Sequence, residues 1–352
     1  MKKRLILFTG ILLTTILMIS SFVPNGGFAA SAGSNVNNID LTEVDNIISN
    51  YDTGEDTSVG ISNYYDTGET PSVTTLDNGK VVEVHNGSGN LYYRVGEYED
   101  GEINWGPSIK YDTGEMPFVT TLDNGDVLEL HGGKNNNNLY YHIGEYEDGE
   151  INWGPSIKYD TGERPIAIVL DNGEILELHR SSKDNKMYYN FYKYEDERIN
   201  RYSGEQYDKG KHQSVTVLDN GDLLEVHRGS KDNNNLYYQI GKIKDGKINW
   251  SANTIYGTGE YPKVTVLDDG DILEVHGSGG SSTDVHYRLG EYDDMGEITW
   301  GPSTSYDSGT QPSVTFLDNG LLLEVHKGRG NKDLSYRLGF YTDSSLFWAP
   351  RK

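Results

Sequence analysis

The 352-residue sequence contains no cysteine. Disulfide scaffolds, zinc–thiolate sites, haem thiolates, lipoprotein anchors and cysteine nucleophiles are therefore excluded. Positive charge is scarce: 30 Lys and Arg stand against 54 Asp and Glu, for a formal net charge of −24. Such a chain repels nucleic acid and anionic membrane surfaces, so neither is expected as a partner. Beyond the N-terminus there is no long apolar run and no sustained 3.6-residue periodicity, which removes helical bundles. Present in quantity are 42 glycines and 26 tyrosines, and a hydrophobic fraction of 35% with 11% aromatics is enough to build a core.

The N-terminus reads as an address. Lys2, Lys3 and Arg4 precede an apolar run from Leu5 to about Val23, followed by the small residues Ala29-Ala-Ser-Ala32. This is the pattern of a secretory signal over residues 1–32, and no stable membrane insertion is expected after cleavage. Uncleaved, the run is long enough to span a bilayer, so an anchored form is the alternative. A secreted chain without cysteine suggests a Gram-positive exporter. Residues 33–58 form a lead, and residues 59–352 carry the repeats.

Internal repetition dominates the rest. The tripeptide Glu-(Val/Leu)-His ends at His85, His131, His179, His227, His276 and His326, at spacings of 46, 48, 48, 49 and 50 residues. Around each copy lies similar text: Pro71-Ser-Val-Thr-Thr-Leu-Asp-Asn-Gly79, Val81-Val-Glu-Val-His85, Leu91-Tyr-Tyr-Arg-Val-Gly-Glu-Tyr98, Ile103-Asn-Trp-Gly-Pro-Ser-Ile-Lys-Tyr111. The tryptophans Trp105, Trp153, Trp250, Trp300 and Trp348 share one repeat position, which the third copy fills with Arg201.

Each unit predicts four antiparallel strands. Val73–Leu76 and Val81–His85 flank an Asn-Gly pair suited to a tight hairpin. Leu91–Tyr98 alternates, with Tyr93 facing the core. Ile103–Tyr111 contains Pro107, which belongs on an edge. A four-stranded sheet cannot cover both its faces alone, whereas radial stacking covers both, so the expectation is a six-bladed β-propeller. An extra fourth-strand copy at Val59–Asp66 competes with Leu346–Lys352 for the closing edge. A seven-bladed ring with a partial N-terminal blade from Asp45–Asp66 is the alternative.

In such a meander the Asp-Asn-Gly and Glu99-Asp-Gly101 turns share one rim. The opposite rim carries the longer, variable loops after each His and the Tyr111-Asp-Thr-Gly-Glu115 linker, and is where binding is expected. The pairs Glu83/His85, Glu129/His131, Glu177/His179, Glu225/His227, Glu274/His276 and Glu324/His326 put an acid and an imidazole on one strand face. Read structurally, they form an inter-blade ladder; read functionally, they contact ligand. Two ligands per blade with no obvious third make a metal site a poor fit, so no cofactor is expected. The tryptophans either pack against the next blade or offer a flat face to a sugar, together with Tyr92, Tyr140 and Tyr237. Asp-Thr-Gly at 52, 66, 112 and 160 is followed by Glu and recurs as a loop, so it is not a protease motif. Calcium on these acidic loops is a weaker alternative.

The phrases Leu-Asp-Asn-Gly-Asp-Val-Leu-Glu-Leu-His, Leu-Tyr-Tyr and Trp-Gly-Pro-Ser-Ile-Lys-Tyr-Asp-Thr-Gly resemble repeats of secreted bacterial proteins, over roughly residues 59–352. In repeat design the chain is similar to bacterial and fungal propeller lectins. Sialidase propellers match less well: their Asp-box differs from Glu99-Asp-Gly-Glu-Ile-Asn-Trp105, and the expected innermost strands (73–76, 119–122, 215–218, 264–267, 314–317) hold no arginine cluster. The resemblance implies a secreted, multivalent, lectin-like protein that binds glycans or surface glycoconjugates. Alternatives are a host-directed protein-interaction or toxin-associated factor, or a hydrolase acting on polysaccharide in the channel. An enzyme needs one asymmetric constellation, and six near-equal units point away from it.

Overall fold

The structure, a computed structural model, describes residues 62–349 apart from 232, 281, 282, 294, 331 and 343. The expected signal, the lead and residues 45–61 of the partial seventh blade lie outside these. Every described element is a β-strand. The first unit shows the plan. Strands β2 (Glu69–Thr75), β3 (Val81–Gly87) and β4 (Asn90–Glu99) form an antiparallel meander, to which β5 (Glu102–Trp105) and β6 (Ile109–Asp112) add. The turns are those the residues dictate. Gly79 adopts φ +79° and donates its N–H to Leu76, and the Asp100-Gly101 pair (φ +52° and +81°) closes the β4–β5 hairpin.

The expected fourth strand is two strands. At Gly106-Pro107-Ser108 the chain leaves the ladder, Gly106 N–H returns to Val95 O, and β6 resumes pairing on β4. This division explains ring closure. In the sixth unit the β5 position is taken by Ser345–Trp348 and the β6 position by β1 (Asn63–Thr67), both paired with Asp333–Thr342. The two segments expected to compete for one edge thus share it, and the pairing joins the two ends of the ring.

Among the described residues the strands pair into six sheets, one per unit. Two long strands, Arg198–Val217 and Thr304–Phe316, each run from the outer edge of one sheet into the innermost position of the next. Innermost strands meet around a central axis. Ser72 Oγ accepts from Val119 N–H in the second unit, and Ser313 Oγ of the sixth accepts from Val73 N–H. The core lies between blades. Val82, Val84 and Tyr93 pack on Val119, Val127 and Ile151 of the next sheet, while Val81 packs on Leu323 and Val325 of the preceding one. Each such aliphatic burial contributes about 1.5–3 kcal/mol. These sheets, each covering its neighbours' faces, make a β-propeller.

Candidate functional site

Since Val81 faces the preceding blade, so do Glu83 and His85 two and four residues on, and all six Glu-x-His pairs are buried. Within each pair the imidazole Nδ1 lies 2.8–3.0 Å from a glutamate oxygen. The tyrosine at the end of the preceding unit caps the seam. Tyr111 donates its hydroxyl to Glu129 at 2.8 Å, and Tyr159, Tyr207 and Tyr256 do the same for Glu177, Glu225 and Glu274. Burial, reinforced by the glutamate, pushes these phenols well above their ordinary pKa and keeps them donors. Burial alone would lower the His85 pKa, but Glu83 outweighs it and the net shift is upward. Four of the six pairs are thus tied by a hydrogen bond to a tyrosine of the preceding blade.

The tryptophans complete the seam. Trp105, Trp153, Trp250, Trp300 and Trp348 stack at 4.5–5.2 Å on Tyr65, Tyr111, Tyr207, Tyr256 and Tyr306, each a tyrosine of the preceding unit. The indole nitrogens of Trp105, Trp153, Trp250 and Trp300 are buried. Each of these indoles thus packs against a neighbouring blade. Arg201 instead reaches Asp160 at 3.2 Å. Tyr92, Tyr140 and Tyr237 stack at 5.5–5.6 Å on His85, His131 and His227 and stay half-buried on the rim of the His loops.

Next to five of the six pairs, the third strand offers one variable side chain to the aspartate of the preceding Tyr-Asp; before the fifth, Gly257 replaces that aspartate. Arg94 Nε meets Asp66 at 2.9 Å, and His142 Nε2 meets Asp112 at 2.9 Å. Gln239 and Arg337 approach Asp208 and Asp307 at 3.4 and 3.6 Å. Of the Asp-Thr-Gly aspartates expected to serve calcium, Asp52 lies outside the described residues, while Asp66, Asp112 and Asp160 have nitrogen partners and each also accepts from the following threonine N–H. The second unit brings Asp112, His131 and His142 together with ligand atoms within 4.8 Å of one another.

A different site lies on the axis, on the rim of the His loops. Thr70, Met116, Arg164, His212, Tyr261 and Gln311 occupy equivalent positions and line one cavity of about 70 Å³. All six have φ between +51° and +58°, a region non-glycine residues rarely enter. At each, the register between first and second strands slips, so a bulge presents the side chain to the channel. Proline follows in five units and Gln213 in the fourth. The signal lies in the sequence as x-Pro in five units, preceded by Glu in four of them, with a different x each time. The innermost strands expected from Val73 and its equivalents begin three residues after these positions and so leave them out.

This mouth is asymmetric and cationic in an acidic chain. Arg164 lies over the Tyr261 ring at 5.2 Å, and Lys263 over Phe118 at 5.4 Å. Burial, with help from Arg164, pushes the Lys263 ammonium down to about 8. His212 stacks on Tyr261 at 3.9 Å and accepts from its N–H at Nδ1. Burial first, then Arg164, Arg180, Arg228 and Lys211, holds His212 well below its ordinary pKa, so it is neutral with a proton on Nε2. The outer cations Arg180 and Arg228 pair with Glu163 and Glu260, whereas among the described residues Arg164 and Lys263 have no carboxylate partner. No aspartate or glutamate lines the cavity among the described residues. The mouth can hold an anion or a polar end group, and it lacks the paired carboxylates that glycoside hydrolysis uses.

No protein-family model and no curated protein sequence matches the chain. Solved structures do. A protein of unknown function from Dyadobacter fermentans aligns over 80% of this chain and 97% of its own, at 14% identity and TM-score 0.61. The NanB sialidase of Streptococcus pneumoniae aligns over 86% and 71%, at 9% and 0.58. A lectin from Aleuria aurantia, solved with Fucα1-6GlcNAc, aligns over 82% and 98%, at 9% and 0.56. At these identities the likeness is one of fold, and the chain is a β-propeller.

Proposed function

We propose that this chain is a secreted, lectin-like carbohydrate-binding protein that holds the end group of an acidic glycan at the mouth of its channel. One observation carries the reading: six bulge residues of different type, Arg164 among them, converge there with Lys263 in a chain of net charge −24. A cavity of about 70 Å³ suits a carboxylate, sulfate or terminal substituent rather than a whole ring. Tyr261 and Phe118 add apolar surface to the lining beside the charge. Similarity to sialidase and lectin propellers is consistent with a sugar ligand and silent on which. The acid-free lining favours binding over hydrolysis.

A second, multivalent reading rests on the rim tyrosines Tyr92, Tyr140 and Tyr237, half-buried in repeated seams. Weak sites on one rigid ring would there add through avidity. A glycan array separates the readings. Enrichment for acidic over neutral glycans, lost in Lys263→Met, supports the mouth. Neutral glycans retained in that variant and lost in Tyr92→Ala would move the site to the seams.

A further inference from the structure

The blade 1–blade 2 seam differs from every other described seam in one residue. Where the first, third, fourth, fifth and sixth units have Arg94, Asn190, Gln239, Arg288 and Arg337, the second has His142. Four of these, Arg94, Asn190, Gln239 and Arg337, carry N–H groups that no protonation change removes, and each faces the seam aspartate at 2.9–3.6 Å; beside the fifth, Arg288, Gly257 stands in the aspartate's place. His142 does not carry that guarantee. Its Nδ1 lies 2.8 Å from the carbonyl of Gly154, which can only accept, so the proton of the neutral ring sits on Nδ1. Nε2 then turns a lone pair toward Asp112 Oδ2 at 2.9 Å.

His131 is set the same way. Its Nδ1 faces the Glu129 carboxylate at 2.9 Å, leaving Nε2 free 3.6 Å from the same Asp112 oxygen. The other Asp112 oxygen is engaged by the Thr113 N–H at 2.7 Å. With both rings neutral, three lone-pair atoms on three side chains thus converge, beside the Ser156 hydroxyl that also hydrogen-bonds Asp112. We infer that Asp112, His131 and His142 form a binding site for a divalent first-row transition ion of the zinc class.

The surroundings are those of a metal site. A histidine that ligates a metal at one ring nitrogen normally donates the other to a carboxylate or carbonyl, and here Glu129 and Gly154 fill those places. Glu129 is itself held by the Tyr111 hydroxyl at 2.8 Å. Both imidazoles are buried, with Asp112 about a quarter exposed, side-chain exposure being 24%. The aspartate is therefore the open side, where water can complete the coordination. Two imidazoles and one carboxylate suit zinc, copper, nickel or cobalt and poorly suit calcium, which takes oxygen.

The test uses the full-length chain, made without a polyhistidine tag and dialysed against chelator, titrated with zinc chloride by calorimetry. The expected result is one equivalent bound in the micromolar range or tighter, weakened about a hundredfold or more in both His142→Gln and His142→Arg. These variants install side chains the fourth and first units carry at the same place, and their unchanged melting without metal shows that the fold is intact. Cobalt absorption of a nitrogen- and oxygen-ligated ion, absent in the variants, reports the same site independently. Absence of stoichiometric zinc binding, meaning that His142 simply carries a proton in place of the arginine, overturns the inference. So does zinc affinity that survives in both variants.

Discussion

At the scale of single residues, similar-looking side chains divide by what surrounds them. His85 sits 2.9 Å from Glu83 and its pKa is raised, while that of His212, buried and then ringed by cations, is lowered. For His85 the sign follows from linkage. The folded state holds the proton more tightly than the unfolded chain, so this stability is complete below the unfolded value near pH 6.5 and is lost as pH rises through the higher folded value. Melting followed between pH 6 and 8.5 should fall with rising pH, and His85→Ala should cost about 1–3 kcal/mol and lessen that dependence. An unchanged melting point in His85→Ala would remove the residue from the ladder. Lys263 gives the second prediction. Because its pKa is lowered to about 8, it loses charge just above neutrality. Affinity for an anionic ligand should fall roughly three- to tenfold between pH 7 and 9, and Lys263→Met should abolish that dependence. Calorimetry at the two pH values checks it.

At the scale of elements, the strands were legible because period-2 alternation and the Asn-Gly and Asp-Gly turns mark them directly. The break in the fourth strand was less so. Pro107 announces an edge but not that the chain leaves and rejoins the same partner, which needs the three-dimensional path of Gly106 back to Val95. The bulges were hidden for another reason: a left-handed residue leaves no periodic trace, and its identity changes from Thr70 to Met116 to Arg164. The Glu-x-His ladder was readable as a pair, but its third member, the tyrosine of the preceding unit, lies 18 residues away for Glu129 and Tyr111. Closure gives a prediction here. β1 carries Tyr65, which stacks on Trp105 at 4.9 Å, and Asp66, which meets Arg94. Tyr65→Ala should destabilise by about 3–5 kcal/mol, the range for losing a buried aromatic. Deleting the chain through Thr67 should lower the denaturation midpoint at least as far. A midpoint unaffected by either change would mean that β1 does not close the ring.

At the scale of the whole molecule, repetition builds the walls and departures from repetition mark the places where chemistry differs. The fourth unit replaces Glu-x-Pro with Lys211-His212-Gln213, and cations gather on that side of the mouth while the chain as a whole is acidic. His142 is the corresponding departure in the seams. Six equal tryptophans would have argued for six equal sugar sites; five stacked on tyrosines argue for a rigid frame around one distinct mouth. Stoichiometry tests that claim most directly. Titration calorimetry with an acidic glycan selected on the array should give one ligand per chain, with binding reduced at least tenfold in Arg164→Ala and unchanged in Tyr140→Ala. A stoichiometry of three or more, lowered stepwise by Tyr92→Ala and Tyr140→Ala and indifferent to Arg164→Ala, would contradict it.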